Sequence, residues 1–229
     1  IIGSQAGYFN SISSYNLFAG AYSGYSNTTG NANCFVGRFS GHQNATGNQN
    51  VYLGSQAGRY GVTATDNTFI GTLAGYFNTA NDNTFIGLGS GYSNTSGNEN
   101  VFVGKSSGSS NTTGNKNTVV GFSAGTIPNT SSKLTLIGNA ANAVAAISNA
   151  AAIGYNANVT ASNSMVLGGT GADAVKVGIG VSAPQAELEV NGYTMLGSFA
   201  PKVKMIALTG TTAPAMGGNV SILHGLTST

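Results

Sequence analysis

The chain has 229 residues and a mass of 22.8 kDa, and its eight Lys+Arg and six Asp+Glu make only 6% of residues charged, for a net charge of +2. Glycine supplies 35 of the 229 residues and Trp is absent, while Asn, Ser and Thr take the places that Lys and Glu hold in a protein of about 25% charged residues. This balance excludes nucleic-acid binding by counterion release and a coiled coil built of helix formers. With 41% apolar residues at strict spacing, it also excludes disorder.

A repeat begins at the first residues, Ile1-Ile2-Gly3, so the chain reads as a piece of something longer. Its block is N-x-F-(I/V)-G-x-x-(A/S)-G followed by a polar stretch such as NTTGN, with a first glycine at 3, 20, 37, 54, 71, 87, 104, 121 and 138. A second glycine follows four residues after the first, from Gly7 to Gly125. The spacing is 17 residues with one exception of 16, and then shortens to 16 (Gly138 to Gly154) and 14 (Gly154 to Gly168). Seventeen residues are too few for a helix pair and suit one coil of a β-solenoid, with Gly and Asn where the backbone needs positive φ. The spacing therefore predicts an all-β chain, a parallel β-solenoid of 17-residue coils stacked at about 4.8 Å.

Period-2 alternation puts neighbouring columns on opposite faces. The column Ala19, Val36, Leu53, Ile70, Ile86, Val103, Val120 and Ile137 is uniformly apolar, with Ser40, Ala57, Ala74, Ser90 and Ala124 lying further along their coils. These two sets are assigned to the coil interior. The intervening column (Phe18, Phe35, Tyr52, Phe69, Phe85, Phe102, Val119) is then assigned outward, an aromatic stripe too large for a soluble monomer to leave bare. Identical rods around an axis would cover it, making Phe18, Phe35, Tyr52, Phe69, Phe85 and Phe102 the candidate interface between copies. The column after the second glycine, Tyr25, His42, Arg59, Tyr76, Tyr92 and then Ser109, varies as an outward column does. Tyrosine beside Asn and Thr on an uncharged scaffold suits carbohydrate, and Tyr25, His42, Arg59, Tyr76 and Tyr92 are the candidate ligand contacts.

The segment Asn149-Ala150-Ala151-Ala152-Ile153-Gly154-Tyr155-Asn156-Ala157, with Asn163-Ser164-Met165-Val166-Leu167-Gly168 after it, resembles the head repeats of YadA-like trimeric autotransporter adhesins. The longer blocks resemble repeats of bacterial surface fibres and of phage or injection-system tail fibres. The resemblance implies a homotrimer, in which each chain partners two further copies, and an adhesive role toward a cell-surface glycan or protein receptor. It also implies an extracellular location, on a bacterial surface or a virion or injection-system tail fibre.

Four segments follow: 17-residue-repeat solenoid over 1–132, shorter YadA-like repeats over 133–170, a neck over 171–200, and the start of a C-terminal β tip over 201–229. Charge returns after the repeats, where Lys176, Glu187, Glu189, Lys202 and Lys204 put five of the chain's fourteen charges within residues 176–204. Val175–Gly180 alternates like a strand, Pro184 breaks the chain, and Asn191-Gly192 predicts a two-residue hairpin between Glu187–Val190 and Tyr193–Leu196. Further strands are predicted at Lys202–Leu208 and Asn219–Leu223, with Gly217-Gly218 as the turn.

Chemistry is sparse. No HExxH or Cys/His cluster signals zinc, three Asp in all do not make calcium-binding rows, and neither His42 nor His224 has triad partners placed by spacing. Glu187 and Glu189 share a strand face, and a solvated face is the simpler reading. Cys34 can close no disulfide within the chain and reads as a small, partly buried filler. No apolar run reaches the ~20 residues of a membrane span. The expectation is therefore a structural and adhesive fibre with no cofactor, no catalytic residue, no metal, no nucleic-acid partner and no membrane span in this segment. The alternative is a monomeric ice-binding solenoid, from its repetitive Thr and Asn.

Overall fold

A computed structural model describes residues 1–126, 130–191, 194–195 and 202–203. It falls into two units, Ile1–Val175 and Lys176–Thr229. The first unit is the solenoid and takes in both repeat lengths. Its strands are β1 (Leu17–Ala19), β2 (Cys34–Val36), β3 (Val51–Leu53), β4 (Thr68–Ile70), β5 (Thr84–Ile86), β6 (Val101–Val103), β7 (Thr118–Val120), β8 (Ser132–Ile137), β9 (Asn142–Ala143), β10 (Ser148–Ile153), β11 (Asn158–Val159) and β12 (Met165–Leu167). Ten of them form one parallel sheet in the order β1-β2-β3-β4-β5-β6-β7-β8-β10-β12, while β9 and β11 pair in a second, short sheet. Each residue pairs with its repeat equivalent, as Phe69 does with Phe85, so coils stack without slip.

Strands are only three residues long through most of the rod because glycine ends each one. Gly54 has φ 145°, and a Cβ there would stand 2.4 Å from the Gly71 carbonyl oxygen of the next coil, so no side chain fits. Other sharp corners carry no glycine. Among the described residues twenty non-glycines have positive φ, most in two stacked columns, one passing through Phe39 and Gln56 and the other through Gln49, Asp66 and Asp82. Each such residue costs roughly 1–2 kcal/mol. The cost is offset by backbone bonds that the corner makes to its neighbour, as when Phe39 N–H donates to Ala21 O at 2.9 Å and Asp66 N–H to Asn48 O at 3.1 Å.

The interior reverses the expected faces. Phe18, Phe35, Tyr52, Phe69, Phe85 and Phe102 are all 0–1% exposed and run down the middle of the coil. Their rings stack at centroid spacings of 5.3, 4.8, 4.8, 4.9 and 4.8 Å. They are core in the single chain and do not form an interface between chains. Space decides this: a Cβ on Gly58 would stand 2.4 Å from Tyr52 Cε2, so the second glycine of each block is the floor on which a ring lies. The Ile column instead lies on the outside, with Val36, Ile70 and Ile137 36–39% exposed. The small residues Ser40, Ala57, Ala74, Ser90 and Ala124 are buried as expected, but beside the rings.

Two asparagine columns complete the core. In the first, Asn16, Asn33, Asn50, Asn67, Asn83, Asn100 and Asn117 each precede a strand, and the Oδ1 of each accepts the backbone N–H of the next at 2.8–3.1 Å. Their Nδ2 groups donate to carbonyls of the following coil, as Asn50 does to Ala64 O at 2.7 Å. In the second, Asn27 donates to Asn10, Asn44 to Asn27, Asn94 to Asn78 and Asn111 to Asn94. Amides buried this deeply fit only because they satisfy one another, since an unmade bond costs about 1–3 kcal/mol. The first column ends where Leu134 N–H donates to Asn117 Oδ1. Beyond it the interior turns aliphatic, with Leu134, Leu136, Ala150, Ala152, Ala157 and Val159, and the narrower core accompanies the shorter coils.

In the second unit, β13 (Val177–Ile179) pairs in parallel with β14 (Leu188–Val190), and β15 (Thr194–Met195) pairs antiparallel with β16 (Lys202–Val203). This corrects the expected hairpin, because β14 is joined to β13 and not to the strand after it. The turn around Pro184 makes the difference: Lys176 Nζ donates to Gln185 O, and Glu189 accepts from Gln185 N–H at 2.6 Å. The predicted strand at Asn219–Leu223, the Gly217-Gly218 turn and His224 lie outside the described residues.

Candidate functional site

The repeat displays two surfaces. The first is the outer face of the ten-stranded sheet. Its outward columns are the first and third strand positions, running from Leu17 to Met165 and from Ala19 to Leu167. Neither holds a charged residue, and Leu17, Val101 and Leu167 are 46%, 39% and 44% exposed. Cys34 sits half-buried among them. Beside this face runs the positive-φ column Asp66, Asp82, Glu99, Lys116 and Lys133, in which Lys116 Nζ lies 3.6 Å from Glu99 Oε2.

The second surface is formed by the turns after the strands, where the ligand candidates fall. The structure brings them together as a ladder of half-buried side chains. Tyr25 stacks on His42 with centroids 5.2 Å apart and planes 4° apart. Tyr76 stacks on Tyr92 at 5.1 Å and 5°. Tyr8 continues the first stack upward at 5.4 Å from Tyr25. Tyr22 over Phe39 at 5.0 Å and Tyr60 over Phe77 at 5.5 Å form parallel stacks beside it. This changes what the tyrosines offer. Their faces are turned to one another along the rod, so most of them present edges and hydroxyls outward, and stacking on a sugar through ring faces is largely foreclosed.

Arg59 interrupts the ladder between His42 and Tyr76. Its guanidinium carbon lies 4.8 Å from the Phe39 centroid, 5.3 Å from Tyr60 and 5.9 Å from Tyr76, and Nη1 donates to Gln56 Oε1 at 2.7 Å. Arg38 lies 4.5 Å from the same Phe39 ring. Burial, and then the Arg59 charge, lower the pKa of His42. Burial also raises that of Tyr76, with a hydrogen bond donated to Tyr60 next in size. His42 Nδ1 and Arg59 Nε are enclosed without a hydrogen-bond partner. Beyond Tyr92 the column becomes Ser109 and Thr126 and the ladder ends.

Sequence reasoning missed both asparagine columns as core and the charged column beside the sheet. The latter was visible as Asp66, Asp82, Glu99, Lys116 and Lys133, each placed two residues before an outward strand position. Among the described residues no group of three or more His, Cys, Asp or Glu could hold a metal, and no helix is long and apolar enough to cross a membrane. Set against protein-family models, curated proteins and solved structures, the chain matches none of them.

Proposed function

We propose that this chain is part of a homotrimeric adhesive fibre, displayed outside the cell on a bacterial surface, phage tail or injection system, that attaches to a cell-surface glycan or protein receptor. The observation that carries the reading is the outer sheet face, two uncharged columns running over ten strands, on which Leu17, Val36, Ile70, Val101, Ile137 and Leu167 are a third to a half exposed. Twenty such positions present on the order of 1,000 Å2, about what one partner contributes to a specific interface. The occupant that matches a surface repeating at the strand spacing at every level is another copy of the same rod, and a cyclic arrangement closes the assembly. The interface thereby moves from the Phe69 column to the Ile70 column. The ring ladder follows the strands in the turns, and repetition on three chains multiplies weak contacts. No catalytic step enters this reading.

Light scattering across a wide dilution range tests it, with three times 22.8 kDa as the expected mass. Ile70→Lys with Ile86→Lys should give a folded monomer, because both side chains lie on the outer face. A wild-type monomer would overturn the trimer.

Ice binding is the second reading, favoured by Thr68, Thr84, Thr118 and Thr135, which stand in register in the outward first column of the parallel sheet. It ranks lower because Leu17, Val51, Val101 and Met165 interrupt that column. A monomer that inhibits ice recrystallisation, and loses the effect in Thr84→Lys, would establish it in place of the fibre.

A further inference from the structure

The first 65 residues hold two formally charged side chains, Arg38 and Arg59, in a stretch whose other polar residues are Asn, Gln, Ser, Thr, Tyr and His42. Both are positive. They come from successive coils, yet their guanidinium carbons lie 4.5 and 4.8 Å from the centroid of one ring, Phe39. That places the two cations within roughly one Debye length of each other. Neither is in an ion pair, since the pair found among the described residues is Lys116–Glu99. The nearest acids in sequence, Asp66 and Asp82, belong to the column that precedes the strands, whereas Arg38 and Arg59 lie in the turns that follow them.

Two like charges gathered with no counter-ion raise the energy of the free protein and favour an anion. The surroundings describe the anion further. Arg59 is steered by Gln56 and Tyr76, which accept from its Nη1 at 2.7 and 3.4 Å. The Tyr76 hydroxyl lies 3.4 Å from Arg59 Nη1, and the rings of Tyr60 and, beside His42, Tyr22 border the patch on neighbouring coils. A planar guanidinium takes a carboxylate or sulfate in two parallel bonds, and hydroxyl-rich edges suit the remainder of a sugar. Two cations are too few to follow a nucleic-acid backbone.

We infer that the Arg38–Arg59 patch on the ring ladder is a binding site for an acidic saccharide, one whose residues carry carboxylate or sulfate groups. The inference rests on the attachment reading above and names the chemistry of the receptor. It also places recognition on the third and fourth coils, within the ring ladder, and away from the coils after Tyr92.

Immobilised polysialic acid, chondroitin sulfate and neutral dextran, probed with the purified chain at about 0.15 M salt and again at several times that concentration, test the site. The expected result is retention on an acidic polymer and not on dextran, weakened by salt and by about tenfold or more in Arg38→Gln/Arg59→Gln. Lys133→Gln, a charge change in the other column, should bind as wild type does. The polysialic acid and chondroitin sulfate arms separate a carboxylate ligand from a sulfated one. Equal retention on dextran, equal loss in Lys133→Gln, or no retention on either acidic polymer overturns the site. Dextran binding by a protein of trimeric mass would leave the attachment reading standing without this site. Acidic-polymer binding by a monomer would do the reverse.

Discussion

The Tyr52 hydroxyl and Gly61 occupy one position between them. In the second asparagine column, Asn10, Asn27 and Asn44 lead to Gly61 before Asn78 resumes the series. A Cβ on Gly61 would stand 3.8 Å from Tyr52 Oη, so the one tyrosine of the buried ring stack points into the space left by the one missing amide. The fit leaves two buried polar atoms without partners, Tyr52 Oη and Asn44 Oδ1. Asn67, the nearest amide acting on that hydroxyl, already donates to Asn50, Thr65 and Ala80.

Tyr52→Phe should therefore stabilise the rod by about 1 kcal/mol, the lower end of the cost of an orphaned buried hydroxyl. Gly61→Asn alone should destabilise it, because its Cβ also meets Asn78 O at 2.8 Å. In the Tyr52→Phe background the same change should cost about 1 kcal/mol less, as the new amide gains room and a partner in Asn44. Denaturant unfolding of the four proteins measures the coupling, and simple additivity would refute the relationship.

Asn50→Asp keeps the shape and removes a donor. Asn50 Nδ2 donates to Ala64 O at 2.7 Å and to Asn33 Oδ1 at 3.1 Å, so a carboxylate there would face two acceptors inside the core. The loss at pH 7 should be about 3 kcal/mol or more. Burial raises the folded-state pKa of the new acid above the unfolded value of about 3.9. The variant therefore comes nearest to wild type below pH 4, and the deficit grows as pH rises from there through the folded pKa. Melting temperatures from pH 3 to 8 follow it, and a deficit independent of pH would count against the account.

His42 gives the wild-type protein its own pH response. Its pKa is lowered, by burial first and Arg59 second. A depressed pKa means that the folded state disfavours the proton, so the stabilising contribution is complete above the unfolded value of about 6.5 and is lost as pH falls below it. His42→Phe, which keeps the stack on Tyr25, should remove the slope between pH 7 and the folded pKa. An unchanged slope in that variant would place its origin elsewhere.

Much of this architecture is legible in the residues. The Gly3-to-Gly138 series fixes the coil length, the parallel stacking and the strand positions, because a glycine that admits no Cβ against the next coil has to recur at every turn. What the alternation does not carry is its sign. The Phe69 and Ile70 columns are both apolar, so periodicity says that they point apart without saying which points in. Asn67 shares the Phe69 face and argues for water, unless its amides close on one another, and that closure appears only when coils are stacked. The second glycine was the decisive signal, since Gly75 lies beneath Phe69 where a ring needs a bare floor. Tyr25, His42, Arg59, Tyr76 and Tyr92 were legible as one outward column. Their use of ring faces for one another was not, because it depends on a rise close to the stacking distance of aromatic rings.

The asparagine column before the strands has a consequence for heredity. Each coil offers its neighbour the same acceptor and receives the same donor, so removing residues 34–50 would leave Asn33 Oδ1 facing the N–H of Asn67 in place of that of Asn50, and Phe18 above Tyr52. The rod would shorten by one rung of about 4.8 Å with every remaining contact of a familiar kind. Unequal recombination between such similar stretches of gene can therefore lengthen or shorten the protein in whole rungs, making reach a quantity that varies from one generation to the next without inventing a new core.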